Sequence, residues 1–133
     1  LYHYRNNAQS MTAAFDPHLT ETIFIPLDIL RTYFDTDDRA LFAQYQMYAA
    51  YLLQLWVRNQ ASLDCDLDRK GLRLSCARVC QNQELRALLV SVLGALPKQV
   101  AVAVRAVQRQ RSGQLYLLIK AWNLYYKLRN GRA

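Results

Sequence analysis

The residues best suited to chemistry in this 133-residue chain are cations interleaved with tyrosine and asparagine in its second half. Cations at helical spacing can follow a run of phosphates, because each contact releases counterions, and tyrosine rings offer stacking faces. No helix-turn-helix, zinc-finger or RNP motif accompanies them, so an acidic protein surface or anionic lipid stays open as an alternative partner. We predict that a nucleic-acid or anion-binding surface is formed by Lys98, Arg105, Arg109, Arg111, Tyr116, Lys120, Asn123 and Lys127.

Charge is distributed unevenly along the chain. Of the net charge of +7, residues 1–66 contribute −4 (four basic, eight acidic) and residues 67–133 contribute +11 (thirteen basic, two acidic). Such a chain favours either a face for an anionic partner or a homo-oligomer in which acidic and basic parts of neighbouring copies meet. The nine tyrosines and two tryptophans support this second alternative, because aromatic residues are enriched at protein interfaces.

Three cysteines form the other group with defined chemistry. Cys76 and Cys80 are four residues apart and would share one face of a helical turn, and Cys65 with His18 or His3 could complete a tetrahedral zinc set. The spacing matches no standard zinc knuckle, and free cysteines are commonly buried, so we expect no metal and no other cofactor. An odd number of cysteines forms no disulfide framework and favours an intracellular location, cytoplasmic or nuclear.

The sequence contains no motif of a known enzyme class. It has no glycine-rich phosphate loop, no nucleophile elbow and no histidine–glutamate helix motif. The acidic cluster of Asp35, Asp37 and Asp38 precedes a predicted helix, where carboxylates cap free N–H groups. We therefore expect a non-enzymatic binding domain, and the start at Leu1 rather than methionine favours a domain excised from a larger protein.

Helices must position these residues, because 53% of the chain is hydrophobic and only four glycines and three prolines interrupt it. The sequence predicts an all-α bundle of five to six helices, with an irregular arm over residues 1–25. A single helical domain is expected over 26–133, acidic to about 66 and basic over 67–133. With a linker at 60–74, the predicted helices cover about 26–35, 38–59, 75–80, 83–95, 97–111 and 114–129. The linker is expected to turn at Arg69–Gly71, and Asn82 is expected to cap the helix at 83–95.

The helix predicted at 38–59 is expected to form the centre of the bundle. Residues 40–57 contain no charged side chain, so this helix is apolar on nearly all sides. The uncharged stretch just reaches the length of a membrane span, but glutamines and tyrosines in its middle favour burial in protein, and we expect no transmembrane span. Trp56 on this helix and Trp122 near the end of the chain lie on inward stripes, and both are expected to be buried.

The stretch at 100–107, VAVAVRAV, fits two structures. Its apolar residues alternate with the period of a strand, but Val100, Val104 and Val107 also fit the helical period, and the flanking glutamines and arginines favour a helix. We predict a helix and keep the strand as the alternative.

The last predicted helix determines where the basic residues point. We expect a turn at Ser112–Gly113 and then a stripe of leucines from Leu117 to Leu128 that faces the core. A second apolar stripe on the same helix consists of Leu115, Leu118, Trp122 and Tyr125. Lys120 and Lys127 would project outward on the opposite side. Because the turn makes the last two helices antiparallel neighbours, their basic sides would join into one patch.

Overall fold

A computed structural model describes residues 15–31, 38–89 and 96–131 of the protein. All regular structure in these residues is α-helical, which confirms the predicted all-α class and rules out the alternative strand at 100–107. Apart from a first single turn there are six helices in the described part of the chain, in agreement with the expected number. The segments are α1 (Leu19–Thr22, the single turn), α2 (Ile25–Arg31), α3 (Arg39–Gln60), α4 (Arg69–Cys80), α5 (Gln83–Leu89), α6 (Lys98–Gln108) and α7 (Ser112–Gly131).

Side-chain caps set the start of three helices. The carboxylate of Asp38 accepts hydrogen bonds from two N–H groups in the first turn of α3, as predicted. The side chain of Asn82, also predicted, accepts one from Leu85 at 3.1 Å in α5, and Asp68 accepts one from Gly71 at 2.6 Å in α4. These bonds satisfy N–H groups that the helix itself leaves without a partner. Two other predicted capping residues lie outside the described residues, namely Asp35 and Asp37.

The linker predicted at 60–74 is wrong in its second half, because α4 begins there. The run Arg69–Gly71, interpreted from the sequence as a turn, is the first turn of this helix behind the cap of Asp68. A Cβ atom on Gly71 would lie 3.0 Å from the capping oxygen of Asp68. The glycine therefore permits a close approach of cap and backbone instead of a change of chain direction.

The helical part of the chain also begins earlier than predicted. The segment 19–25, assigned from the sequence to the irregular arm, contains α1 and the start of α2 and contributes two buried residues to the core. Asp16 is tied to α3, because its N–H donates to Asn59 Oδ1 at 2.8 Å and its carbonyl accepts from Asn59 Nδ2 at 3.0 Å. The remainder of the predicted arm, residues 1–14, lies outside the described residues.

Trp56 lies at the centre of the core, as predicted. Its side chain is fully buried, and its indole Nε1 donates to the hydroxyl of Thr20 at 2.9 Å, which links α1 to α3. The Tyr45 hydroxyl similarly donates to the carbonyl of Leu27 and links α2 to α3. Around them the fully buried side chains include Leu53, Leu85, Leu89, Val104, Val107, Leu115 and Ile119.

Helix α3 is not enclosed on all sides, although residues 40–57 are uncharged. Leu41, Met47 and Tyr51 are exposed, so only part of its circumference packs against other helices. The most extensive contact between helices joins α4 to α7 and does not involve α3. The predicted central position of this helix is therefore not confirmed: exposed apolar residues are common on protein surfaces, and absence of charge alone does not require burial. No helix in the described part of the chain is both long enough and apolar enough to span a membrane.

Replacing Trp56 with alanine should lower the free energy of unfolding by about 3–5 kcal/mol, because the change removes a large ring from a closed core. Trp56→Phe keeps most of the packing and removes the hydrogen bond to Thr20, so a smaller decrease of about 1–2 kcal/mol is expected. Tyr51→Ala on the exposed side of the same helix is the control and should change stability by less than about 0.5 kcal/mol. Urea denaturation measures all three, and a Trp56→Ala protein as stable as the control would contradict the buried position.

Candidate binding interface

The predicted basic residues lie on α6 and α7, which are joined by a tight turn at 109–111. Gln110 adopts a left-handed conformation with φ of 54°, and the Arg111 N–H donates to the Ala106 carbonyl at 2.8 Å. This is the hydrogen-bond pattern of a Schellman helix end. The turn predicted at Ser112–Gly113 is therefore wrong by a few residues, because a glutamine takes the conformation usually reserved for glycine.

Helix α6 presents its cations as predicted. Its three inward valines are buried in the core, so the opposite side faces outward. Lys98, Arg105 and Arg109 are exposed there, with Val102 between them in the same row. No carboxylate in the described ranges forms an ion pair with these three cations.

Helix α7 is rotated relative to the prediction. The stripe expected to face the core points outward instead, with Leu117 66% exposed, Leu124 57% and Leu128 55%. The core side contains part of the second stripe, with Leu115 buried and Leu118 and Trp122 half-buried, together with the fully buried Ile119. Both stripes are apolar and both have helical spacing, so periodicity alone does not distinguish them. The packing of α4 and α6 selects the second one.

Tyr116 does not offer a stacking face to a base. Its side chain is only 7% exposed, and the guanidinium carbon of Arg73 on α4 lies 4.7 Å from its ring centroid. The Nζ atom of Lys120 lies 5.8 Å from the same centroid. The contact of Arg73 joins α4 to α7, whereas Lys120 lies on the same helix as Tyr116. Tyr116 thus packs in a structural contact instead of presenting its ring on the open surface. The contribution of Arg73 was missed because its helix was interpreted as a linker.

Asn123 has a structural role as well. Its side-chain Nδ2 donates to the carbonyl of Ala61 at 3.0 Å and also approaches that of Ser62 at 3.5 Å. These carbonyls follow the end of α3, where helical hydrogen bonds have run out. The amide group of Asn123 therefore holds α7 against the end of α3, and its contact with an anion stays a prediction.

Six of the eight predicted site residues are exposed: Lys98, Arg105, Arg109, Arg111, Lys120 and Lys127. On α7 the two lysines lie on the flank next to α4, as the contact of Lys120 with Tyr116 shows. The other flank meets α6 and its row of three cations. The outward leucines, with Ala121, lie between the two flanks. We call this surface, an apolar stripe with cations on both sides, the α6–α7 face.

A cavity of about 380 Å³ opens beside the stripe, where the start of α6 meets the second half of α7. It is lined by Gln99, Leu118, Ala121, Trp122 and Tyr125. The rings of Trp122 and Tyr125 meet edge to face, with centroids 5.9 Å apart and planes at 87°. The expected burial of Trp122 is met only in part, because the indole is half-buried and forms part of the cavity wall.

Two of the three cysteines belong to the core. Cys76 and Cys80 are buried, and this burial raises the pKa of Cys76 to about 12 and that of Cys80 to about 11. Cys65 is half-buried, and burial raises its pKa too. His18 is exposed, and His3 lies outside the described residues. Within the described ranges no three histidine, cysteine or acidic side chains are grouped so that they could hold a metal ion.

Comparison with known proteins finds no family model, no curated protein and no solved structure that matches this chain. The interpretation of the α6–α7 face therefore depends on its geometry, burial and charge.

The three thiols should differ in reactivity. At mildly alkaline pH, Ellman's reagent should react first with Cys65, while Cys76 and Cys80 react only as the fold opens, because the thiolate is the reactive form and burial disfavours it. Their raised pKa values mean that the folded state holds these protons more tightly than the unfolded state. This stabilisation is complete below the ordinary thiol value near pH 9 and is lost as the pH rises through about 11 and 12.

The pH dependence can be isolated with Cys76→Ala, whose unfolding free energy should fall less steeply over this alkaline interval than that of the wild type. Denaturation at a series of pH values measures the difference. Prompt reaction of all three thiols in the native protein would show that the two cysteines of α4 are not buried.

Asn123→Ala should lower the free energy of unfolding by about 1–3 kcal/mol, because it removes the hydrogen bond that the Ala61 carbonyl accepts at the end of α3. Lys127→Ala, an exposed change on the same helix, is the control and should stay within about 0.5 kcal/mol of the wild type. Thermal or urea denaturation distinguishes the two. If Asn123 instead contacted an anion, its alanine variant would be as stable as the control and defective only in binding.

Proposed function

We propose that this chain is a non-enzymatic binding domain that docks an acidic, amphipathic segment of a protein partner on the α6–α7 face. The observation that carries the proposal is the outward leucine stripe of α7, in which Leu117, Leu124 and Leu128 are each more than half exposed. A contiguous apolar surface bordered by charged residues is typical of an interaction site, whereas isolated exposed leucines are not. Its helical spacing suits a partner helix laid along it.

The cations on both sides of the leucine stripe favour a partner that carries acidic residues. Lys120 and Lys127 lie on one side of it and the cations of α6 on the other, and none of them pairs with a carboxylate in the described residues. A partner with acidic flanks would complement both rows. Charge complementarity of this kind speeds association and fixes the orientation of a partner, while the apolar stripe contributes most of the affinity.

Nucleic acid is the second candidate, and the exposed arginines around the turn favour it. Arg105, Arg109 and Arg111 cluster within seven positions of the chain and are exposed, and guanidinium groups suit phosphate contacts. The stripe of leucines gains nothing from a phosphate backbone, however, and Tyr116 and Asn123 are occupied by structural contacts. We therefore place the protein partner first. With either partner, the proposed setting is intracellular, cytoplasmic or nuclear.

The test uses a synthetic peptide of glutamate, alanine and leucine whose leucines line one helical face, and a scrambled peptide of the same composition. Fluorescence anisotropy should show tighter binding of the amphipathic peptide, because only this peptide can cover the stripe while its glutamates meet the cations. Leu124→Ser combined with Leu128→Ser should abolish this preference. Leu74→Ser, at an exposed leucine of α4, is the matched control. Equal affinity for both peptides would refute the proposal.

An electrophoretic mobility shift with RNA and DNA at two salt concentrations tests the second candidate on the same variants. If nucleic acid is the partner, exchanging Arg105, Arg109, Lys120 and Lys127 together for glutamine abolishes binding and leaves folding intact. The salt slope would fall by up to about one unit for each phosphate that no longer meets a cation. The double serine variant of α7 would then bind as the wild type does, whereas a protein partner predicts the opposite pattern.

A further inference from the structure

Helix α2 carries a second exposed apolar surface, which includes a carboxylate where the α6–α7 face has cations. Ile25 is 49% exposed and Ile29, one helical turn later, is 57% exposed. Asp28 lies beside them and is also exposed, while Leu27 on the other side of the helix is buried in the core. Helix α2 is thus an amphipathic helix whose outer side combines branched aliphatic groups with a carboxylate.

The two surfaces lie on different parts of the bundle. Helix α2 packs against α5 and is tied to α3 by the hydrogen bond from Tyr45 to Leu27. Helix α7 packs chiefly against α4 and α6. The outer side of α2 therefore does not cover the α6–α7 face of its own chain, and the two can meet only between copies.

Charge favours a contact between unlike surfaces. Asp28 is exposed on α2, whereas the α6–α7 face carries exposed lysines and arginines. A carboxylate on one copy is attracted to these cations on another, while two basic faces repel each other. A contact between unlike faces is electrostatically favoured over a symmetric contact between two α7 helices.

The cavity beside the stripe offers a place for an aliphatic side chain. Its volume of about 380 Å³ leaves room for a branched side chain, and Leu118, Trp122 and Tyr125 supply an apolar wall. Burying an exposed isoleucine against such a wall is favourable, because it removes apolar surface from water. Ile25 and Ile29 are therefore complementary to the cavity between α6 and α7, because both surfaces are apolar and one projects where the other is concave.

We propose that copies of this chain associate head to tail, with α2 of one copy docked on the α6–α7 face of the next through Ile25, Ile29 and Asp28. The inference rests on the proposed function and identifies its acidic, amphipathic partner as a second copy of the chain. Because the contact joins unlike surfaces, each dimer keeps one free α2 and one free α6–α7 face. Association therefore continues to longer chains or closes into a ring.

Sedimentation velocity of the full chain over a range of concentrations tests the proposal. The mass of the wild type should rise with concentration beyond that of a dimer, and high salt should weaken this rise. The variants Ile25→Glu/Ile29→Glu and Leu124→Glu/Leu128→Glu should both be monomeric, each with a wild-type circular dichroism spectrum because the changed side chains are exposed. Leu74→Glu, at an exposed leucine outside both surfaces, should associate as the wild type does.

Mixing the two monomeric variants gives the decisive result. Each keeps one intact surface, so an equimolar mixture should form a 1:1 dimer and nothing larger. A mixture that stays monomeric, or a wild type that is monomeric at every concentration, would overturn the proposal. An Ile25→Glu/Ile29→Glu protein that associates as the wild type does would overturn it as well, because the contact would then not involve α2.

The peptide experiment distinguishes a failure of the head-to-tail association from a failure of the proposed function. A wild type that stays monomeric but prefers the acidic amphipathic peptide is still a binding domain, and only the identification of its partner as a second copy is refuted. A wild type that is monomeric and shows no peptide preference refutes both proposals.

Discussion

The packing of α4 against α7 determines the orientation of every candidate binding residue in the C-terminal part of the chain. Arg73 covers the ring of Tyr116, and the buried Leu72 and Cys76 of α4 face a core that includes Ile119 of α7. Once this side of α7 is covered by α4, and the next by α6, only one side can remain in water. That side carries Leu117, Leu124 and Leu128, whose helical spacing is equally compatible with a position in the core.

The same packing leaves most cations of the α6–α7 face outside the contacts that hold the fold. Helix α7 is held by the contact of Arg73 with Tyr116, by Asn123 and by buried aliphatic residues. Of the cations of the face only Lys120 contacts the Tyr116 ring. Arg78 of α4 forms an ion pair with Glu21 at 3.6 Å, but both side chains are exposed, and such pairs contribute little to stability. The proposed partner can therefore contact these cations and the leucine stripe without loss of the contacts that stabilise the fold.

Local signals in the sequence were reliable for two helix caps and for the period of α6. Asp38 and Asn82 cap the helices that follow them, and the valines of α6 are buried at their predicted period. Trp56 was also placed correctly, because it lies at helical spacing with Ala49, Leu52 and Leu53, which are buried as well. Local reasoning failed at Gly71 and Gln110. The first is a glycine that tightens a helix cap, and the second is a non-glycine residue that reverses the chain.

The sequence by itself determined the helical class, the main caps and the separation of acidic from basic residues, because each depends on composition or on near neighbours along the chain. The tertiary structure alone decided which side of α7 is buried, and with it the structural roles of Tyr116 and Asn123 and the exposure of Leu117, Leu124 and Leu128. The physical reason is that α7 has two apolar stripes of similar character. The free energy of burying one or the other depends on α4, α6 and the end of α3, which are distant in sequence and meet α7 only in the folded chain.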